Sequence, residues 1–250
     1  MPLAPRSAFL VLLGVVLFAG FIALGTWQVE RRAWKLDLIA RVDARVHAAP
    51  VAAPAQAQWA RISAGNDEYR HVSLAGTFLH DRETLVQALT TQGSGFWVLT
   101  PLRAADGSSV LVNRGFVPAD ARDRAARAAN EPSGHLTVTG LLRLTEPGGG
   151  FLRRNDAASD RWFSRDVQAI AAARGLSNVA PYFVDADANP AQRLPVGGLT
   201  VIAFHNSHLV YAITWYGLAL MVVGGAWLVR RESRRRSRRI DENRRDAQSD

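Results

Sequence analysis

Two uninterrupted apolar runs set the pattern of the chain. Ala8–Trp27 reads AFLVLLGVVLFAGFIALGTW and Leu209–Val229 reads LVYAITWYGLALMVVGGAWLV, and neither holds a charged side chain. About 20 apolar residues at a rise of 1.5 Å cross the roughly 30 Å hydrocarbon layer of a bilayer. Each run therefore predicts a transmembrane helix. A cleaved signal peptide has a shorter apolar core, about 7–15 residues. The first run is longer and continues into helix-compatible sequence, which favours an uncleaved anchor. In that continuation, Gly25–Val46, the residues Trp34, Leu38, Val42 and Val46 recur every fourth position, with Arg31, Arg32, Lys35, Arg41 and Arg45 on other faces. This predicts an amphipathic helix leaving the membrane and turning along its surface or onto the following domain.

Between the spans the period changes to two. Ala48–Gln58 is a Pro/Ala-rich stretch, expected to be an extended, weakly structured linker. Tyr69–Leu79 alternates as a strand, with Val72, Leu74 and Phe78 inward, His71 and Ser73 outward and Gly76 at a bulge. Thr84–Leu89 is expected to pair with it. Gly95–Leu102 and Ser109–Val117 flank the turn Ala105-Asp106-Gly107 as a hairpin. Asp120–Ala129 reads as a short helix or a loop, and His135–Leu144 as another strand, broken by Pro147-Gly148-Gly149-Gly150. Phe151–Asp160 is a polar loop. Asp166–Arg174 is a helix with Val167, Ile170 and Ala171 on one face and Gly175 as its stop. Tyr182–Val184 is a last strand, and Pro190–Gly198 a loop returning to the membrane. The expected fold is a membrane protein in which two transmembrane α-helices flank a mainly antiparallel β (α+β) extracytoplasmic domain, a small barrel or sandwich. Its segments are 8–27, first span; 28–58, juxtamembrane helix and linker; 59–204, β-rich domain; 209–229, second span; and 230–250, arginine-rich tail.

Charge refines the topology. The 250 residues carry a formal charge of +8. Much of it comes from Arg230, Arg231, Arg234, Arg235, Arg236, Arg238 and Arg239 after the second span. A central arginine costs about 2.5–3.5 kcal/mol to insert, so this block stays on one side. The first span has more positive charge after it than before it, which alone points the other way. Two spans put both termini on one side, the terminal block is the stronger signal, and long loops translocate with little regard for charge. Both termini are therefore expected in the cytoplasm and the main domain outside it, in the inner (plasma) membrane. No nucleic-acid-binding motif accompanies the charge, so nucleic acid is not expected as a partner, whereas membrane lipid is. The absence of cysteine excludes disulfides, thiolate metal sites and C-x-x-C-H haem attachment.

Catalytic signatures are missing: there is no phosphate-binding glycine loop, no H-E-x-x-H and no G-x-S-x-G. Acidic residues are scattered singly, leaving no carboxylate pair for acid–base work. An enzyme is not expected. Of the six histidines, His47, His71, His80 and His135 read as solvated. His205 and His208 lie three apart, on one helix face, at the mouth of the second span beside Tyr211, Thr214, Trp215 and Tyr216. A neutral imidazole there suits axial ligation of haem iron. From spacing alone the simpler reading is a polar cap with ordinary interfacial aromatics.

GTWQVERRAWKLDLI after the first span, VNRGFVP at Val112–Pro118, PVGGLT at Pro195–Thr200 and HLVYAITWYGLA at His208–Ala219 resemble the Surfeit locus protein 1 (Shy-type) family of cytochrome c oxidase assembly proteins. RLTEP at Arg143–Pro147, Arg161-Trp162-Phe163 and Tyr182-Phe183-Val184-Asp185 follow the same order, and only the arginine-rich tail falls outside the resemblance. It implies two membrane helices with a domain on the outer side of the inner membrane, and a role in maturing haem-copper oxidases by carrying haem a to the catalytic subunit. That subunit is the expected partner, with haem a synthase as a second. The family histidine falls on His208, as haem-iron ligand, while His205 is outside the shared pattern. Trp215 and Tyr211 match as pocket or packing residues. Trp27, Gln28, Arg31 and Arg32 match as residues facing the haem propionates or the partner, for which arginine supplies bidentate hydrogen bonds. Gly25, Trp34, Asn113, Arg114 and Gly115 match too, Gly115 as a turn after a strand. The alternative is a cofactor-free membrane scaffold that holds the oxidase subunit; a membrane-anchored enzyme is a weaker third.

Overall fold

In the computed structural model the described backbone runs over residues 5–246 apart from 151, 191–192, 201 and 203–205, with side chains from residue 8 to 236 on the same terms, Asn130 excepted. His205 lies outside the described residues. The chain divides into two compact units, residues 1–40 with 203–250, and residues 41–202.

The first unit contains most of α1 (Pro5–Val46) and all of α4 (His208–Asp246). Both are long and apolar enough to cross a membrane. The apolar side chains Phe9, Leu10, Val15 and Val16 on α1, and Val210, Ile213, Leu220 and Met221 on α4, are exposed, as lipid-facing positions are. α1 is one uninterrupted helix from the apolar run through the charged continuation, so the expected turn after the span is absent. α4 likewise carries the tail on as helix.

The second unit holds a seven-stranded sheet. Its strands are β1 (Val51–Ala52), β2 (His71–Phe78), β3 (Thr84–Thr90), β4 (Gly93–Arg103), β5 (Ser109–Pro118), β6 (His135–Leu144) and β9 (Val179–Ala186), in the order β1-β2-β6-β9-β5-β4-β3. Thr77 and Phe78 of β2 also pair with Arg103 and Leu102 of β4. This closes β2, β6, β9, β5 and β4 into a five-stranded barrel, and the alternative of a sandwich falls away. β7 (Gly149–Gly150) and β8 (Arg153–Arg154) form a separate ribbon. α2 (Ala64–Asp67) is a single turn.

Alternation explains the closure, because period-two side chains point to opposite faces of a strand. Val72, Leu74 and Phe78 (β2), Val110 and Val112 (β5), Val138 and Leu142 (β6) and Ala180, Tyr182 and Val184 (β9) make one buried cluster, the barrel interior. Leu99, Leu111 and Phe183 point the other way and meet Trp162 and the apolar face of α3 (Val167–Ala173). Asp166 caps α3 by accepting from Ala169 N at 3.1 Å, and Gly175, at φ +61°, ends it.

Several expectations are corrected. Thr84–Leu89 pairs with β4, not β2. The Pro/Ala-rich stretch is no loose linker: β1 adds to β2 in parallel, and Tyr182 Oη donates to Pro54 O at 3.0 Å. Gly76 sits in an unbroken β2–β6 register; a Cβ there would collide with Arg103 O where the barrel closes. Gly115 is inside β5 rather than after it. Phe116 pairs with Trp97 and Asn113 with Leu99, so β5 carries an extra residue opposite Val98. Gly115 takes φ +130° in that bulge.

Candidate functional site

Within the first unit, α1 and α4 pack antiparallel along a seam. Phe21, Gly25 and Gln28 recur at four-three spacing on α1, as do His208, Ala212, Trp215 and Ala219 on α4. This is the spacing of a knobs-into-holes interface. Gly25, Ala212 and Ala219 are buried, and such small residues let membrane helices approach closely. A Cβ at Gly25 would lie 2.7 Å from the Tyr216 ring. Phe21 and Trp215 stack at 5.8 Å, and Tyr216 Oη lies 3.3 Å from Thr26 Oγ1.

At the His208 end the seam turns polar. Gln28 is buried, and its Oε1 lies 2.8 Å from Nδ1 of half-buried His208. An amide oxygen only accepts, so Nδ1 is the nitrogen that donates in this contact. Nε2 has no partner among the described residues. Asn206 Oδ1, just before the helix, is also buried without one. Trp27 and Tyr211 are about half exposed, at 54% and 53%. Arg31 and Arg32 lie one turn beyond Gln28 on α1; Arg31 covers the Trp34 ring at 4.2 Å, and Arg32 is half-buried.

The barrel builds a different kind of site. Asp185, 4% exposed on the outer face of β9, accepts from Asn113 Nδ2 at 2.8 Å, Arg143 Nη1 at 3.2 Å, Arg165 Nη1 at 3.1 Å and Thr200 Oγ1 at 3.0 Å. Arg165 also donates to Glu146 at 2.5 Å, and Arg143 Nε lies 3.6 Å from Glu68. Burial disfavours the charge on Arg165, but Asp185 and Glu146 outweigh it and raise its pKa. Burial likewise works against the Glu146 carboxylate, and Arg165 outweighs it, leaving that pKa lowered. A cavity of about 200 Å³ lies against this node. The loop after β9 is held over it: Val196 exchanges backbone bonds with Phe116 at 2.8 and 2.9 Å, against Gly115.

The family model described as SURF1 family matches residues 15–220. The chain belongs to the SURF1 family. Surfeit locus protein 1 of Rattus norvegicus is 37% identical over 212 residues, 78% of this chain and 67% of the rat protein. That of Homo sapiens is 36% identical over 214 residues, covering 78% and 69%. A SURF1-like protein of Monosiga brevicollis is 35% identical over 228 residues, covering 86% and 85%. The match to the SURF1 family takes in the whole seam through Ala219 and stops before the arginine-rich end of α4.

Of the residues singled out from sequence, the structure joins Gln28 to His208 and stacks Trp215 on Phe21 of α1. Trp27, Tyr211, Arg31 and Arg32 sit on the same helices, and among the described residues none of them bonds to His208. The node was missed as a unit, although VNRGFVP, RLTEP, Tyr182–Asp185 and PVGGLT contribute Asn113, Arg143, Glu146, Asp185 and Thr200 to it. His71 and His80 are not solvated. His71 lies 2.9 Å from Ala48 O and 2.8 Å from Asp187, and His80 Nε2 lies 2.9 Å from Pro132 O. Burial opposes the charge on His71, but the Asp187 carboxylate and the Ala48 carbonyl raise its pKa above the ordinary value. Among the described residues no cluster of three or more His, Asp or Glu is placed to hold a metal ion.

Proposed function

We propose that this protein is an assembly factor for cytochrome c oxidase, with its domain outside the cytoplasm, and that it holds haem a at the mouth of the helix pair for delivery to the catalytic subunit. Membership of the SURF1 family supports the assembly role. The observation that carries the haem reading is the Gln28–His208 contact at 2.8 Å, which engages Nδ1, while Nε2 has no partner among the described residues. Such an outer hydrogen bond orients a histidine ligand and raises its basicity. A porphyrin supplies its own four equatorial nitrogens, so one protein imidazole suffices where a bare ion requires a cluster. Trp27, Tyr211 and Trp215 offer aromatic surface to the macrocycle, and Arg31 and Arg32 offer guanidinium to its propionates. The chain's own task in this reading is to bind, orient and release; bound haem a supplies redox-active iron for the oxidase, and the chain performs no turnover. Haem a synthase is the donor this reading requires.

The test is the visible spectrum of detergent-purified protein from cells making haem a, for wild type and His208→Ala. A Soret band that disappears or shifts in the variant supports the carrier. Equal haem in both removes His208 from the role. No haem in either, with oxidase assembly intact, leaves a cofactor-free scaffold, which the exposed apolar faces of α1 and α4 also suit.

A further inference from the structure

Beyond the seam and outside the residues matched to the family, α4 continues as helix through a run of arginines. Their arrangement is not uniform. Trp227, Arg230, Arg231, Arg234 and Arg235 together line a groove of about 330 Å³. They stand at i, i+3, i+4, i+7 and i+8, a single stripe at about 100° per residue, whereas Glu232, Ser233 and Arg236 point elsewhere. Arg231 lies over the Trp227 ring at 5.3 Å. None of these four arginines has an acidic partner among the described residues.

Such a stripe opposes its own helix. Arg230 and Arg234, Arg231 and Arg234, and Arg231 and Arg235 are like charges three or four apart, and each such pair destabilises the helix. Fixing membrane topology requires basic residues in number and near the span, but not on one face. The face is explained by an anion that several guanidiniums grip at once. Depth says which anion. The stripe begins at Trp227, two residues before the apolar run ends at Val229, and tryptophan marks the headgroup layer. Phospholipid phosphates lie at that level, and arginine grips phosphate bidentately.

We infer that Trp227, Arg230, Arg231, Arg234 and Arg235 form a binding groove for the headgroup phosphate of an anionic phospholipid. A polybasic segment beside a span is drawn to an anionic surface; the groove adds geometry to that attraction.

The experiment reconstitutes the full chain in vesicles of phosphatidylcholine with a minor fraction of phosphatidylglycerol, extracts it in mild detergent and quantifies the retained lipids by mass spectrometry. The comparison chain carries Arg231→Glu, Glu232→Arg, Ser233→Arg and Arg234→Ser. It keeps net charge, and with it the topology signal, but breaks the stripe. Wild type retains phosphatidylglycerol several-fold over its share of the mixture; the permuted chain retains it close to that share. A third chain with lysine at positions 230, 231, 234 and 235 keeps part of the enrichment, which separates groove chemistry from a folding defect. Equal enrichment in wild type and permuted chain overturns the groove, as does no enrichment in wild type. Elution of the lipid by inorganic phosphate, or tighter retention of a single-stranded oligonucleotide, overturns the assignment to a lipid headgroup.

Discussion

The barrel and the helix pair each set polar groups among apolar ones, and they do it in opposite ways. At Asp185 the carboxylate meets four donor side chains, and its two arginines each reach a further carboxylate, Glu68 or Glu146. Two arginines and three carboxylates form one network, 4% exposed at its centre. At His208 one ring nitrogen is held by Gln28 and the other has no partner among the described residues. The paired charges of the barrel node serve to fix the fold, with Arg143 Nε left buried without a hydrogen bond; an oriented but unfinished group is what a ligand site requires. The SURF1 motifs thus divide between two tasks: those in the barrel hold its outer face together, and those in the helices present a nitrogen.

The largest effect that sharpens this contrast is expected from Asp185→Ala. Removing the central carboxylate leaves Arg143 with only Glu68 and Arg165 with only Glu146, a loss of up to about 3–5 kcal/mol, measurable by denaturant unfolding of the full chain in detergent. A loss under about 1 kcal/mol would mean that the node is solvated and that the two regions do not differ as described. Next comes Gly115→Ala. A non-glycine residue at φ +130° is strained by roughly 1–3 kcal/mol, and the new methyl group would also meet Val196 O. Unfolding should shift by that order. An unchanged midpoint would show that the Pro195–Thr200 strap lifts from β5 freely.

How far each region is legible in sequence follows from how far apart its partners lie. The spans, the seam spacing and α3, with Asp166 and Gly175 at its ends, are written in local periodicity and end signals. So are the inward faces of β2 and β6, whereas β5 and β9 are buried on both faces and their apolar runs hide which side is inward. Strand partnership is not: the alternation of Thr84–Thr90 is equally compatible with β2 and with β4, and only the closed barrel decides. The two strand glycines make the same point. Gly76 looks like a bulge and Gly115 like a turn, but their reasons are Arg103 O and Val196 O, backbone atoms 27 and 81 positions away. Asp185 is one of many single acids until folding brings Arg143 and Arg165 to it. Gln28 and His208, 180 positions apart, were each singled out by resemblance; that they touch is a fact of the fold.

A middle-sized effect tests the open side of the comparison. Gln28→Leu keeps the seam's bulk but removes the acceptor that holds Nδ1–H. Loss of such an outer hydrogen bond typically weakens metal binding about 10–100-fold. The expected outcome is a parallel loss of retained haem in the purified protein, with the barrel's unfolding midpoint unchanged. Full haem retention would show that Gln28 only packs, and that the nitrogen is positioned by other means.

The smallest effect concerns the other well-anchored histidine. Unlike His208, His71 has both nitrogens facing acceptors, Ala48 O and the Asp187 carboxylate. Two acceptors ask for two protons, and the pKa is accordingly raised above 6.5. A raised folded-state pKa contributes stability that is complete below the unfolded value and is lost as pH rises through the folded value. Asp187 is 41% exposed, so solvent screens the pair and its worth is about 0.5–1 kcal/mol. The stability difference between wild type and Asp187→Asn should therefore be greatest in mildly acidic solution, while Asp187 is still ionised, and should shrink as pH climbs above 6.5. A difference that is constant with pH, or that grows on the alkaline side, would mean that His71 is bound neutral. The contrast between a saturated and an unsaturated histidine would then rest on the geometry of His208 alone.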